Sequence, residues 1–505
     1  MAAMQSKPAR LLPALLLCLA LAAALVVFGV RLIPIAEGDR AIYEAIGDGL
    51  RSGQRLYAEV YDNKDPLFLY AVALQRGLGW LGGWLFEAGG LLLAGCSLAT
   101  LQRGLAGTPK PRQQWLVGVL GALLLSGGFW GAGQPQLPAS AFTLLSLALL
   151  CRGQLFGAGL AAGVVAGFKL ICLPLPLAFA LCWLAPPGKP GRLGRFAGGV
   201  AAALLAGALV LGLRGELAAY GQTLAHNALY SQGLLVQAGT PLEVLASHGR
   251  TLFLSGKNNF LMLLALISAT VICVQAAQAD QPQQRLAQAS LALVITGASI
   301  TVATGLWAGH LQLLYPGQCL ALLLVVHQWQ PQFGWRRALR LPSLLLLAAF
   351  LSGTLDLSPT YWLKPQQIQH KMERIRQPSS EELALQNAFP DHSVVFARLG
   401  SNDGRIPVGW KGSTLACPDF HQYGFYTHDR LNRILTCVRS APVVLTGPSF
   451  HLWGEIPPGL PREAQGRRIT AQWNSFVSKG EATLAAHFQC QRPTGHIRIC
   501  VQRQH

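Results

Sequence analysis

The strongest constraint on this chain is its succession of long apolar runs. A stretch of about 17–25 apolar residues can cross the hydrocarbon core of a bilayer as a helix. The 505-residue sequence holds about eleven such runs. They lie near residues 11–33, 87–102, 115–131, 138–151, 155–170, 171–185, 196–213, 259–277, 286–306, 313–329 and 341–356. Backbone polar groups have no partner in lipid except each other, so the runs are predicted to be helices. The first, with Lys7 and Arg10 ahead of its apolar core, has the outline of a signal peptide. It lacks a clear small-residue cleavage site and is read as a span. Composition agrees: 51% of residues are hydrophobic and 12% charged, against about a quarter charged in a soluble domain. That excludes a disordered chain and a water-soluble enzyme. A net charge of +18 would suggest nucleic acid in a soluble protein. Here the excess sits in short loops between apolar runs, so membrane lipids, and no nucleic acid, are the expected partners.

Orientation follows from the basic residues, which favour cytoplasmic loops. With the N-terminus inside, the inner segments hold Lys7, Arg10, Arg103, Lys110, Arg112, Arg152, Lys189, Arg192, Arg195, Arg285, Arg336, Arg337 and Arg340, against the single acid Asp280. Nearly all other acids fall on the opposite face. Residues 66–86 are apolar but contain Arg76 and four glycines, and counting them as a span would invert every later loop. They are read as a helix in the outer interface, within a first outer loop of 34–86. The expected organisation is a membrane domain over 1–356 and an extracytoplasmic α+β domain over 357–505. That tail holds 17 basic and 10 acidic residues and no span-length run. Short β-like segments at Ser393–Arg398, Pro442–Thr446 and His496–Val501 alternate with turn residues there.

Seven of the eleven cysteines lie in predicted spans and four, Cys417, Cys437, Cys490 and Cys500, in the tail. An even number outside the cytoplasm is compatible with two disulfides. Cys490–Cys500 and Cys417–Cys437 are the short closures among three pairings; four reduced core thiols are the alternative.

The first outer loop is the anomaly. It packs Glu37, Asp39, Glu44, Asp48, Glu59, Asp62 and Asp65 into 29 residues. Ile42, Ile46 and Leu50, with Tyr43 beside them, are spaced for an amphipathic helix over Asp39–Leu50, with Asp39 at its N-cap. On the bland reading these acids are a cap and a solvated face. The order of residues suggests more. Asp39 directly after the first span, Tyr43 four residues on, a turn with Gly53, Tyr57 and Asp62, and then Lys64 and Pro66 resemble the first outer loop of the C-type (GT-C) membrane glycosyltransferases. The bacterial protein-mannosyltransferase-like and aminoarabinose-transferase-like enzymes are the branch resembled. The likeness is specific over 34–70 and looser over the membrane part.

The resemblance implies a GT-C-like polytopic helical fold in the bacterial inner membrane. It implies inverting transfer of a hexosyl or pentosyl group from a polyprenyl-phosphate-sugar donor to a glycan, lipid or protein acceptor on the outer face. Asp39 would be the catalytic base, with Tyr43, Tyr57, Asp62 and Lys64 binding substrate. An acceptor hydroxyl needs a base within hydrogen-bond reach, and a departing phosphate needs cations. Lys169, at the junction of two short spans, is a candidate because intramembrane ionisable groups are costly; snorkelling to the interface is the plainer account. His310 and Tyr315 resemble a His-Tyr…Pro segment of a late outer loop, with Leu311 where Tyr is common; an interfacial structural histidine is the alternative. Arg214, Arg250 and Lys257 could face a lipid phosphate or simply water. Two departures stand out: Asp65 follows Lys64 where the family has Pro, and the second outer loop carries Gln134 and Gln136 where many relatives have an acid. A divalent cation is therefore left open as a cofactor, and no metal ligands are assigned. A transporter or flippase of a lipid-linked substrate, and an inactive relative serving as an assembly subunit, are the competing readings. Neither internal halves nor a midplane acid supports the first.

Overall fold

A computed structural model describes residues 39–106, 133–184, 191–238, 281–303, 308–328, 380–390, 394–399, 413–419, 428–447, 464–494 and 497–503, with a few positions between 114 and 125 and at 270, 274 and 369. The predicted spans 11–33 and 341–356, and most of 115–131 and 259–277, lie outside the described residues, as do Arg250 and Lys257.

The chain enters on α1 (Asp39–Arg51) and α2 (Pro66–Gly77). Ile42, Tyr43, Ile46 and Leu50 are the buried stripe of α1, as their spacing predicts. The stripe packs on Phe68, Leu69, Val72 and Ala73 of α2; Tyr43 meets Phe68 edge-on at 5.0 Å. Asp39 lies in the first turn of α1, and the residues before it lie outside the described residues. Arg76, the charge that disqualified 66–86 as a span, pairs with Asp48 at 2.7 Å and Glu44 at 3.1 Å on α1.

The helix expected in the interface over 66–86 is shorter than the sequence suggested. The chain breaks at Leu78–Gly79, where Gly79 takes φ +66°, a region that costs glycine little. Residues 80–86 then belong to α3 (Trp80–Ala106). The span therefore begins near Leu81, not at 87, and runs to Arg103. After it come α4 (Gln136–Cys151), α5 (Leu155–Phe168), a 3-10 turn (Leu170–Cys172), α6 (Pro174–Leu184), α7 (Arg192–Leu213), α8 (Leu217–Ala238), α9 (Gln281–Ala303), a 3-10 segment (Ala308–Leu314) and α10 (Tyr315–Gln328). Among the described residues three helices are long and apolar enough to cross a membrane: Leu81–Arg103, Arg192–Leu213 and Gln284–Ala303. Four others, α4, α5, α6 and α10, run 16, 14, 11 and 14 residues, short of the roughly 20 that a perpendicular crossing needs. The outward face of α7 carries Leu204, Leu205, Leu209, Val210 and Leu213 exposed, a contiguous apolar surface suited to lipid. The chain is a membrane protein.

Small residues let the membrane helices touch backbone to backbone, the usual device where lipid removes the hydrophobic drive between helices. On α5, Gly159 faces Phe196 and Val200 of α7; a Cβ there would lie 2.0 Å from the Phe196 carbonyl oxygen. Gly199 of α7 faces Phe156 in the same way, at 2.1 Å. Ser146 of α4 donates to the Ala158 carbonyl at 2.8 Å, tying α4 to α5.

The C-terminal domain comprises α11 (Ser380–Ala388), β1 (Val394–Leu399), β2 (Ser413–Leu415), α12 (His428–Ser440), β3 (Val443–Thr446), α13 (Ala464–His487), β4 (Phe488–Thr494) and β5 (Ile497–Gln502). The sheet order is β2-β1-β3-β5-β4. β1 is parallel to β2 and β3, while β5 runs antiparallel to β3 and β4. β3 is buried throughout, as a central strand should be. Leu431, Ile434, Leu435 and Val438 are the buried stripe of α12. Cys490 and Cys500 stand directly opposite each other on β4 and β5 and are bonded. Cys417, just after β2, is bonded to Cys437 of α12.

The two glycine contacts make a paired test. Gly199→Val drives a side chain into the α5 backbone and should cost about 1–3 kcal/mol or more, as overpacking does. Gly198→Val, where a Cβ meets nothing within 4 Å, should be nearly silent. Thermal unfolding of the two variants in detergent checks the difference.

Candidate active site

The site is built on the turn between α1 and α2. Gly53, at φ +95°, reverses the chain. Glu59 then brackets the turn by accepting from the Arg55 amide at 2.7 Å and its Nε at 3.0 Å. Leu56 and Val60 form an isolated bridge. Between them Tyr57 sits at φ +64°, a strained conformation for a bulky residue. Its compensations are local. The Tyr57 amide donates to the Val60 carbonyl at 2.6 Å and its hydroxyl to the Lys64 carbonyl at 2.7 Å; its ring stacks on Tyr220 of α8 at 5.3 Å. Tyr57 thus holds the backbone of Lys64 in place.

Asp62, 3% exposed, accepts from the Lys64 amide at 3.0 Å and lies 3.7 Å from the Lys64 ammonium. The Lys64 Nζ also donates to Asn63 Oδ1 at 2.6 Å and stands 5.6 Å above the Tyr43 ring. Asn227 of α8 fixes the Asn63 carbonyl at 2.9 Å. Burial raises the Asp62 carboxyl above its usual range against the pull of Lys64, and Asp39 adds to the rise.

Asp65 explains its own departure from the family pattern. It precedes α2 without capping it. Its carboxylate instead accepts the Leu170 amide at 2.8 Å and the Tyr220 hydroxyl at 2.9 Å. Those donors lie 105 and 155 residues away. Burial still raises its carboxyl, with the two hydrogen bonds opposing. The junction it grips carries Lys169, which is buried and has an extended backbone between α5 and the 3-10 turn. Lys169 feels the charges of Lys64, Asp65 and Asp39. His310 feels both lysines, and burial first, then Lys169 and Lys64, hold its imidazole well below the usual range. Asp62, Lys64 and Asp65 thus share one turn, and Asp65 ties that turn to the backbone beside Lys169. Asp39 is exposed at the start of α1. Tyr43 and Tyr315 are buried, Tyr43 beneath Lys64 and Tyr315 at the start of α10.

Two carboxylates that sequence reasoning passed over complete the frame. Glu216, fully buried, accepts the Leu56 amide at 3.0 Å, Arg214 Nε at 2.9 Å and the Tyr70 hydroxyl. Arg214 is spent on this pair and on the Tyr70 ring, 5.3 Å away. Glu87 of α3 accepts the Gly133 amide at 2.5 Å, which brings an acid to the start of α4, beside the buried Gln134 and Gln136. The signal for both was weak. Glu87 sits at the start of an apolar run, and Glu216 and α8, which carries Tyr220 and Asn227, fall between the predicted spans 196–213 and 259–277, where the sequence marks no element. Among the described residues no cluster of three or more His, Cys, Asp or Glu is placed to hold a metal ion.

The role of Asp65 can be separated from charge alone. Asp65→Ala leaves the Leu170 N–H and the Tyr220 O–H without their acceptor, a loss of about 1–3 kcal/mol for a buried donor. Asp65→Asn retains an acceptor oxygen and should lose less. The order of thermal midpoints, wild type above Asn above Ala, is the check.

No protein-family model and no curated protein matches the sequence. Solved structures do. Apo ArnT from Cupriavidus metallidurans is similar over 97% of this chain and 98% of its own, at 13% identity and a TM-score of 0.50. ArnT bound to undecaprenyl phosphate is similar over 96% of this chain and 97% of its own, at 12% identity and 0.49. Arabinofuranosyltransferase AftD from Mycobacteria is similar over 97% of this chain, at 14% identity and 0.49, and the chain spans 40% of its length. With α1, α2 and the acidic turn between them in the order the sequence pattern required, and with apo ArnT matched end to end, the chain has a GT-C-like fold.

Proposed function

We propose that this protein transfers a sugar from a polyprenyl-phosphate-linked donor to an acceptor hydroxyl at the outer membrane surface, with inversion. The observation that carries the reading is the Asp62–Lys64 pair on the turn of the first loop, tied through Asp65 to the backbone beside the buried Lys169 where that loop meets the membrane helices. A lipid-linked donor keeps its isoprenoid tail in the bilayer and its phosphosugar at the interface, so chemistry on it belongs at such a junction. Asp39, exposed to the loop side, takes the acceptor proton as the acceptor oxygen bonds to the anomeric carbon. The bond from that carbon to the phosphate oxygen breaks, and the electron pair leaves with the polyprenyl phosphate. Lys64 and Lys169 stabilise the growing charge. Tyr57 and Asp62 hold Lys64 for that task above the Tyr43 ring; His310 and Tyr315 are assigned to substrate binding in this reading. The described residues offer no ligand set for a metal, and no step is assigned to one.

The reading places the protein in the inner membrane of a bacterium, N-terminus inside. The Tyr61 amide donates to the Pro418 carbonyl at 3.1 Å, a contact that supports placing the first loop and the C-terminal domain on one face. A reporter active only in the cytoplasm, fused after His505, is expected to stay silent; strong signal would invert the topology.

The catalytic test uses transfer from a radiolabelled polyprenyl-phosphate sugar at matched protein level. Asp39→Asn keeps a good residue at the helix start but removes the base, and transfer should fall by about 10²–10⁴. Lys64→Ala should depress transfer far more than stability. Undiminished transfer in Asp39→Asn would move the base elsewhere, with Asp62 next in line.

A further inference from the structure

Tyr61 is where the C-terminal domain grips the first loop. The Arg430 guanidinium lies over its ring, 3.4 Å from the centroid. Arg430 Nε donates to Asp419 Oδ1 at 2.8 Å, and its Nη2 donates to the same oxygen. The Tyr61 amide bonds to Pro418, next to Asp419. From the membrane-domain side, His226 of α8 meets the ring edge-on at 6.5 Å. Burial, with Arg430 adding to it, pushes the His226 imidazole down to about 4, so this neighbour is neutral and does not compete with Arg430 for the ring face. Tyr61 is 4% exposed, so the cation and ring meet away from water, where such a contact is strongest.

The grip is built as one piece. Asp419 lies on the segment after β2 and Arg430 on α12, and the Cys417–Cys437 disulfide joins those two stretches. The buried stripe of α12 anchors it on the sheet. On the loop side, Tyr61 is followed at once by Asp62, Asn63 and Lys64. Nothing in that turn is regular secondary structure, so its backbone depends on contacts from outside: Tyr220 and Asn227 on one flank, Arg430 and Pro418 on the other.

We propose that the Arg430–Asp419 pair, closing on Tyr61, is a positioning clasp through which the C-terminal domain sets the place of Asp62 and Lys64. Arg430 is a positioning residue and touches no reacting atom. Its planar guanidinium can stack on the ring while its edge holds the carboxylate; an ammonium cannot do both. The geometry stands by itself, and only its consequence for lipid-phosphate binding rests on the proposed function.

The test uses the full-length protein in lipid nanodiscs, with hydrogen exchange of the 53–65 segment and retention of undecaprenyl phosphate as readouts. Arg430→Ala should speed exchange in 53–65 by about tenfold or more and weaken retention of the lipid in parallel. Arg430→Lys should not restore either. Tyr61→Phe, which keeps the ring, should stay within about threefold of wild type. Unchanged exchange in Arg430→Ala overturns the proposal. Should Arg430→Ala also loosen β1 and β3, Tyr61→Leu decides, because it leaves the C-terminal domain intact: faster exchange in 53–65 supports the clasp and unchanged exchange overturns it. If wild type retains no undecaprenyl phosphate, the proposed function fails at that point, and exchange alone judges the clasp.

Discussion

A carboxylate taken out of water must find donors, and in this protein the donors are distant in sequence. Asp65 reaches the Leu170 amide and Tyr220, and Glu216 reaches Leu56, Arg214 and Tyr70. Leaving either anion unpaired would cost several kcal/mol, so the turn between α1 and α2, the α5–α6 junction and the start of α8 are bound into one arrangement. Everything else at the site hangs from that arrangement. Tyr57 can be held at positive φ because Tyr220 stacks on it, and Lys64 is placed because Tyr57 and Asp62 grip its backbone.

The same economy governs the membrane helices. Lipid cannot reward burial of an apolar face, so contact between α5 and α7 depends on close approach at Gly159 and Gly199. The apolar side chains on α7 are left facing outward, where lipid accepts them. Beside these helices Arg76 of α2 is paired against Asp48 and Glu44 of α1.

The C-terminal domain is more than an appendage on this view. Its sheet and the Cys417–Cys437 bond hold Asp419 and Arg430 against Tyr61, one residue from the buried Asp62. A loop with no regular structure is thereby fastened from two sides, by α8 and by a separate domain. That is how a flexible stretch can present charged groups in a defined place.

What the sequence determined by itself is whatever depends on local pattern and solvent preference. The 3.6-residue spacing of Ile42, Ile46 and Leu50 made α1 legible, alternation and turn residues marked β1, β3 and β5, and apolar length marked α3, α7 and α9. The order Asp39, Tyr43, Tyr57, Lys64 pointed to the GT-C fold. Only the tertiary structure decided which acids are paired and with what. Asp65 looked like an intrusion and is a tie between helices; Glu216, Glu87 and Arg430 carried little local signal, because their partners lie on other elements. The break at Gly79 was equally hidden, since apolar residues continue on both sides of it and only backbone conformation separates them. Hydrophobic periodicity is written along the chain, whereas the pairing of a buried charge depends on which distant donors the fold brings within hydrogen-bond reach.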